Sequence, residues 1–295
     1  MSGDTGSDNI TICIFAFNEA HRIERCLANF RRYRHVLVLD NFSTDETRQV
    51  VERAGVRCVT LRNPGGFVET PEVMDPLFEL VSTDYLLLAS VSEFVPLPLM
   101  RRYDAVADAC SHDVVRVYRV SITAGLPIPI VGNPRPWNRG FLRFFRKGSV
   151  SFIGNRVHDQ GRIVVDAARV LNLVTDPEAR FYQFRDYDAS HAELAHCRYN
   201  DTLARQRYED GQRFSWGRAI ACSVWEFVKS WLLFGSFRHG MPGFIHSYYR
   251  GQMEFTLWLR VWEWQHGLRR AEVIARNDAV RRRLESSLSD QRGES

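Results

Sequence analysis

Two short apolar runs on either side of an amphipathic segment, within residues 11–45, constrain the fold more than any other part of this chain. The first run ends at Asn18-Glu19, and the second, residues 36–39, ends at Asp40. Between them, apolar side chains recur at helical spacing, at Ile23, Cys26, Leu27 and Phe30. This strand–helix–strand pattern predicts a βαβ unit with parallel, buried strands.

Glu19 and Asp40 directly follow the two predicted strands. In sheets of this kind, ligands bind beyond the carboxyl ends of the strands. A carboxylate at that edge suits a ribose hydroxyl or the N–H of a base. The spacing alone leaves a second interpretation equally open, in which both residues are ordinary loop and cap residues.

The composition of the 295-residue chain indicates one large globular domain, or one domain with an appendage. The sequence contains no basic block with interleaved aromatic residues, which argues against nucleic-acid binding. Its six cysteines form no CxxC pair, which argues against structural zinc and indicates reduced thiols. The N-terminus is unlike a signal peptide, and no uncharged apolar run reaches about 18 residues. These features predict a cytoplasmic protein, soluble or peripheral on the inner face of the membrane.

Three motifs in the first 45 residues resemble the opening of the inverting glycosyltransferase family 2. They are Ala16-Phe17-Asn18-Glu19, the helix that begins with residues 22–27, and residues 36–40 followed by Ser43-Thr44-Asp45. The resemblance extends over roughly residues 9–265, and its later part is similar to the branch of bacterial lipopolysaccharide-core β-glucosyltransferases. It implies an α/β fold with a Rossmann-like GT-A sheet, mostly parallel and flanked by helices, and a C-terminal helical appendage.

The resemblance and the composition together predict four regions. Residues 1–8 are a flexible N-terminus, and residues 9–168 are the GT-A domain for nucleotide-sugar binding and catalysis. Residues 169–267 are a helical region for acceptor, membrane-surface or oligomer contacts, and residues 268–295 are a charged helix that leads into a disordered tail. The proline-rich segment 122–140 is long enough to act as a lid.

The resemblance implies that the donor nucleoside, usually uridine in this family, binds at the ends of the first two strands. Phe17 would lie against the base, and Glu19 and Asp40 would accept hydrogen bonds from the base or the ribose. The implied nucleotide-sugar-binding residues at these strand ends are Phe15, Ala16, Phe17, Asn18, Glu19 and Asp40.

Ser90-Val91-Ser92-Glu93 stands where the family usually has Asp-x-Asp-Glu, whose aspartates hold Mg²⁺ or Mn²⁺ on the donor diphosphate. Neutral hydroxyls are poor substitutes for carboxylates on such a cation, and of the acidic residues only Glu93 is retained. Three explanations stay open. The enzyme works without a metal, through Arg side chains or helix N-termini; it binds a metal through Glu93 and a distant histidine; or it has lost transferase activity. In the transferase interpretation, Ser90, Val91 and Ser92 lie beside the diphosphate.

Residues 141–148 followed by Val157-His158-Asp159 resemble the family's arginine-rich strand followed by Val-His-Glu. An inverting transferase needs a general base that takes the proton of the acceptor hydroxyl. The resemblance implies Asp159 in this role, with His158 as the alternative base or as a diphosphate or metal ligand. Arg143 is a candidate diphosphate contact. From the residues alone, a structural His-Asp pair and a solvated Arg143 stay open.

Two predicted helices within residues 216–264 carry many Trp, Tyr and Arg residues, a composition that suits a membrane interface. The same apolar face could instead cover the catalytic domain or join copies in a homo-oligomer.

The sequence thus predicts an inverting transferase that moves a hexose from a UDP-sugar to a glycan or lipid-linked acceptor. Two other hypotheses stay open. The first is a non-catalytic binding or partner protein on a glycosyltransferase scaffold, which Ser90 and Ser92 favour. The second is a transferase that modifies a small-molecule natural product.

Overall fold

The computed structural model describes residues 5–63, 67–123, 125–127, 140–156, 159–185 and 200–293, with side chains of the last helix described as far as residue 285. The chain divides into two compact units, residues 1–186 and residues 187–295. The segment 122–140, predicted to act as a lid, lies largely outside the described residues.

A ten-stranded mixed sheet forms the first unit, with eight strands in the order β3-β2-β1-β4-β8-β6-β12-β5 and β7 and β11 attached to β6. Strands β3, β2, β1 and β4 are parallel, whereas β8 is antiparallel to both of its neighbours. The strands of this sheet are β1 Ile10–Ala16, β2 His35–Asp40, β3 Arg57–Thr60, β4 Tyr85–Ser90, β5 Glu93–Phe94, β6 Val114–Thr123, β7 Leu126–Pro127, β8 Phe141–Arg146, β11 Val170–Asn172 and β12 Arg180–Arg185. A separate two-stranded ribbon pairs β9 Val150–Ser151 with β10 Arg162–Ile163.

Helices cover both faces of this sheet, and their bounds are α1 Ile23–Phe30, α2 Thr47–Arg53, α3 Pro71–Leu80 and α4 Leu97–Ala109. Strand β1 is buried on both sides, because Ile12 and Ile14 join the core cluster that contains α1 and α4, while Cys13 joins the cluster that contains α3. A strand buried on both faces reads as a continuous apolar run, which is why the sequence pattern identified it. The predicted α/β fold class, a mostly parallel sheet flanked by helices, is confirmed.

Two parts of the first unit differ from the sequence-based expectation. The stretch 62–76 is rich in glycine and proline, a composition that predicts a loop, but α3 begins within it at Pro71. Proline is tolerated in the first helical turn, and burial of Val73, Met74 and Leu77 stabilises the helix despite Pro76 in its interior. Helical structure was expected from about Arg169, but β11 and β12 follow that residue instead.

The second unit is helical. Residues 200–209 form α5, followed by α6 Trp216–Val228, a π-helical turn Lys229–Leu233, a 3₁₀ turn Ser236–His239, α7 Gly240–His266 and α8 Arg270–Gly293. Helices α6 and α7 pack closely at Gly251, where an added Cβ would lie 2.9 Å from the backbone oxygen of Ser223. Among the helices described, none has a stretch apolar and long enough to cross a lipid bilayer.

Candidate functional site

The parallel register of β1, β2 and β4 brings three of the predicted site segments to one edge of the sheet. Ala16 at the end of β1 pairs with Asp40 at the end of β2, and Phe15 pairs with Ser90 at the end of β4. Polar loops that follow neighbouring parallel strands therefore meet here, as expected for a ligand-binding edge in an α/β sheet.

Hydrogen bonds join the loop after β1 to the loop after β2. Asn18 has a left-handed backbone with φ of 55°, and its Oδ1 accepts from the backbone N–H of Thr44 at 2.7 Å. The Asn18 N–H donates to Ser43 Oγ at 2.9 Å, and the Glu19 N–H donates to Thr47 Oγ1 at 2.7 Å. The predicted site residue Asn18 thus fixes the shape of this edge through its own hydrogen bonds.

The carboxylates of the two loops have different surroundings. Asp40 is only 3% exposed, and both of its carboxylate oxygens lie 3.3 Å from the Ser43 N–H. Such long contacts leave most of the carboxylate's acceptor capacity unused. Glu19 forms a two-point ion pair with Arg22, one turn further along the chain. Asp40 can therefore accept further hydrogen bonds, whereas Glu19 already has a cationic partner.

Aromatic side chains flank this edge. Phe17 is 39% exposed, whereas Phe15 packs partly buried against the core cluster that contains α3. Phe42, which belongs to none of the sequence motifs, is 58% exposed and has a left-handed φ of 59°. A bulky residue rarely adopts this conformation, and such strained residues cluster at functional sites.

The segment after β4 forms a tight turn with two serine hydroxyls on it. Ser90 Oγ and Ser92 Oγ lie 3.0 Å apart, and the backbone N–H of Ser90 donates to Glu93 Oε2 at 3.0 Å. The Ser92 carbonyl accepts from Phe184 on β12 at 2.8 Å, which anchors the turn to the sheet. Val91 is buried in the core. Only the two hydroxyls of the predicted diphosphate motif are thus available at the edge.

Glu93, Arg143 and Glu69 form an ion-pair cluster beside this turn. The Arg143 guanidinium contacts Glu93 at 3.2 Å and Glu69 at 2.8 Å, and the Glu93 side chain is only 2% exposed. Burial disfavours a charge on Arg143, but the adjacent Glu93 and Glu69 carboxylates more than compensate and raise its pKa. Glu69, which no sequence motif indicated, is held in turn by Asn155, whose side-chain amide donates to the Glu69 carbonyl at 2.8 Å.

The described residues do not provide the ligands that a divalent cation needs at this position. Hard cations prefer several carboxylate or carbonyl oxygens, whereas the turn presents two hydroxyls, and the Glu93 carboxylate is already bound to Arg143 and the Ser90 N–H. No group of three or more His, Cys, Asp or Glu side chains is close enough to hold a metal in the part of the chain that the structure describes. His158, the other predicted metal ligand and alternative base, lies outside that part.

Asp159 is exposed and closes a turn with Arg156. The Arg156 N–H donates to Asp159 Oδ2 at 2.8 Å, and the Asp159 N–H donates back to the Arg156 carbonyl at 3.0 Å. The neighbouring Asn155 holds Glu69, so this turn is connected to the ion-pair cluster. One carboxylate oxygen of Asp159 has a structural role, and the other has no hydrogen-bond partner among the described residues.

The fold and this polar edge define an α/β protein that gathers candidate ligand-binding loops at the ends of its parallel strands. The family model of Glycosyl transferase family 2 matches residues 11–69, the segment that contains both loops. This match confirms that residues 11–69 resemble glycosyltransferase family 2, as found in the sequence.

Several solved structures are similar to this chain at low identity. Glucosyl-3-phosphoglycerate synthase from Mycobacterium tuberculosis, with Mn²⁺, UDP-glucose and phosphoglyceric acid, is 15% identical over 70% of this chain and 82% of that chain, with a TM-score of 0.44. In another complex of that enzyme, with phosphoglyceric acid, the similarity covers 38% of this chain and 44% of that chain, at 19% identity and a TM-score of 0.31. In this second comparison the chain spans less than half the length of the synthase. S. aureus TarS is 12% identical over 88% of this chain and 92% of that chain, with a TM-score of 0.43.

Proposed function

We propose that the protein is a glycosyltransferase that moves a hexose from a nucleoside diphosphate sugar, with a UDP-sugar as the favoured donor, and inverts the anomeric carbon. The observation that carries this proposal is the strand register that brings Phe17, Asp40 and Ser90 to one edge, within and beside the family 2 segment. The acceptor is a glycan, a lipid-linked glycan or a small molecule.

In this proposal the edge has three tasks. Phe17 packs against the base, and Asp40 accepts hydrogen bonds from the base or ribose. The diphosphate lies at the Ser90–Glu93 turn. The acceptor oxygen attacks the anomeric carbon, and its proton passes to Asp159. The bond between the anomeric carbon and the β-phosphate oxygen breaks, and its electron pair leaves with the nucleoside diphosphate.

The second candidate function is a non-catalytic binding protein on the same scaffold. The observation that favours it is the commitment of Glu93 to Arg143, which leaves the altered motif without a free carboxylate. Both candidates bind a nucleotide, so turnover of a nucleotide-sugar, as transfer or slow hydrolysis, distinguishes them.

A thermal-shift panel of nucleoside diphosphates and their sugars tests the shared part of both candidates. A ligand at about 100 times its dissociation constant stabilises the folded protein by about 2.7 kcal/mol, a shift of a few degrees for a chain of this size. Absence of a shift with every nucleotide, with and without Mn²⁺, would remove the nucleotide-binding function.

Asp40→Ala is expected to weaken binding of the selected nucleoside diphosphate by about 1–3 kcal/mol, the scale of a lost hydrogen bond to a charged group. Isothermal titration calorimetry measures the effect. The matched control is Glu52→Ala, which removes the same charge from an exposed ion pair on α2 and should leave binding unchanged. Equal affinities for Asp40→Ala and the wild type would exclude Asp40 from the nucleoside site.

The apolar side of α6 supports a membrane-associated or lipid-linked acceptor. Successive helical positions on this side carry no charged residue, and most are strongly exposed. We define the α6 apolar face as Ile220, Ala221, Val224, Trp225 and Val228 on α6, together with Leu232 of the π-helical turn that follows it. Arg218 and Lys229 lie beside this face, and Lys229 is paired with Glu226. An exposed apolar surface with the cationic Arg218 at its border suits an anionic lipid surface.

Val224→Glu is expected to lower partitioning onto phosphatidylglycerol-containing vesicles roughly tenfold, because a charge replaces an apolar side chain that is 55% exposed on this face. Vesicle co-sedimentation measures the partitioning. Gln212→Glu adds the same charge at an exposed turn and serves as the control. A wild-type protein that stays in the supernatant, but dimerises unless Val224 is replaced, would show that the face joins copies of this chain.

A further inference from the structure

Arg119 on β6 is a cationic side chain that has no anionic partner among the described residues. Its guanidinium lies 4.0 Å from the centroid of the Phe141 ring. It forms no hydrogen bond or ion pair with any residue in the described ranges. Burial, followed by the repulsion of Arg185, lowers the Arg119 pKa to about 10; Arg143 lowers it further, and Glu93 opposes the shift. An anionic ligand would neutralise this partly buried positive charge and so stabilise it.

The strand pairing places Arg119 close to the Ser90–Glu93 turn. Gln183 on β12 pairs with Glu93 on one side and with Ser121 on the other. Arg119 precedes Ser121 by two residues, so its side chain lies on the same face of β6. The electrostatic influence of Glu93 and Arg143 on Arg119 agrees with this placement.

Arg143, beside the Ser90–Glu93 turn, also has a hydrogen-bond donor that is not used. Two of its nitrogens bind Glu69 and Glu93, but its Nε is buried and has no hydrogen-bond partner in the part of the chain that the structure describes. A buried donor left unpaired is destabilising, and such groups in a folded protein call for an explanation. An acceptor oxygen from a bound ligand would satisfy it.

We propose that Arg119 and Arg143 bind the diphosphate of the donor directly, in place of a divalent cation. This inference rests on the proposed function and deepens it, because it assigns a metal-independent diphosphate site to the turn that lacks metal-binding carboxylates. Guanidinium groups pair with phosphate oxygens in a bidentate way and carry a fixed charge. Arg143 contributes mainly a donor, since Glu69 and Glu93 already balance its charge. Arg119 contributes the free positive charge that offsets the negative charge developing on the leaving diphosphate.

The test compares a nucleoside diphosphate with its nucleoside in chelator. UDP, CDP, GDP, ADP and dTDP are first compared by thermal shift, and the best of them and its nucleoside are then titrated calorimetrically, with EDTA or with Mn²⁺. We expect the wild type to bind the diphosphate equally well in both conditions. Arg119→Gln should weaken diphosphate binding in EDTA roughly tenfold or more while nucleoside binding stays unchanged. Arg102→Gln, an exposed arginine on α4, is the charge-matched control and should bind like the wild type.

Each other outcome overturns the inference in a recognisable way. If the diphosphate binds only with Mn²⁺, the site uses a metal and the proposed function survives without this inference. If Arg119→Gln weakens the binding of nucleoside and nucleoside diphosphate equally, or changes neither affinity, Arg119 does not contact the phosphates. If no nucleotide binds in either condition, the proposed function fails as well. Should Arg119→Gln not fold, Arg119→Lys decides, because it keeps the charge and should retain part of the diphosphate affinity in EDTA.

Discussion

Asp159→Asn is expected to lower turnover by a factor of about 10²–10⁴, the usual contribution of a general base, with little change in donor affinity. The side chain keeps its shape, and the amide oxygen of asparagine can still accept the Arg156 N–H that closes this turn. The turn should therefore persist, while the proposed general base is lost.

Steady-state transfer or hydrolysis of the nucleotide-sugar gives the turnover, and calorimetry with the nucleoside diphosphate gives the affinity. Asp166→Asn is the matched control, because it removes a carboxylate from an exposed position seven residues further along the chain. Wild-type turnover in Asp159→Asn would exclude Asp159 as the base and move the role to His158. A parallel loss of turnover and donor affinity would instead indicate that the turn shapes the donor site.

Features that depend on nearby residues in the chain could be predicted from the sequence. The βαβ unit follows from continuous apolar runs and helical spacing, because a strand buried on both faces and a helix buried on one leave local patterns. Once parallel strands are inferred, the meeting of Ala16, Asp40 and Ser90 at one edge follows from topology. The ion pair between Glu19 and Arg22 could also be predicted from the sequence, because residues three apart on a helical turn are neighbours.

Features that depend on distant residues could not be predicted in this way. Arg143 meets Glu93 and Glu69 across sequence separations of 50 and 74 residues, and no local pattern marks such a cluster. Arg119 lies near the Ser90–Glu93 turn because β6 pairs with β12, but β12 lies where the sequence indicated a helix. Ser90 and Ser92 mark the proposed diphosphate site as unusual already in the sequence, whereas Arg119 and Arg143 are found near it only in the fold.

Arg143→Met is expected to lower the free energy of unfolding by about 3–5 kcal/mol, the cost of leaving a buried charge without its partner. The Glu93 side chain is 2% exposed, so water cannot replace the lost guanidinium, whereas Glu69 is 20% exposed and can be hydrated. Urea denaturation with an unchanged m-value measures the loss. Arg146→Met on the same strand is the control. Its ion pair with Asp84 is partly exposed, and Asp113, which it meets at 3.9 Å, keeps its closer pair with Arg169, so this change should cost less than about 1 kcal/mol.

The double variant Arg143→Met with Glu93→Leu identifies the cause of this loss. If the cost comes from the isolated Glu93 carboxylate, replacing both partners by apolar groups should recover most of the stability, because apolar side chains can replace a buried ion pair at little cost. If Arg143→Met alone costs no more than Arg146→Met, the pair with Glu93 does not support the fold. The Arg143 guanidinium would then be free to turn towards a bound diphosphate, and its contribution would appear in nucleotide affinity rather than in stability.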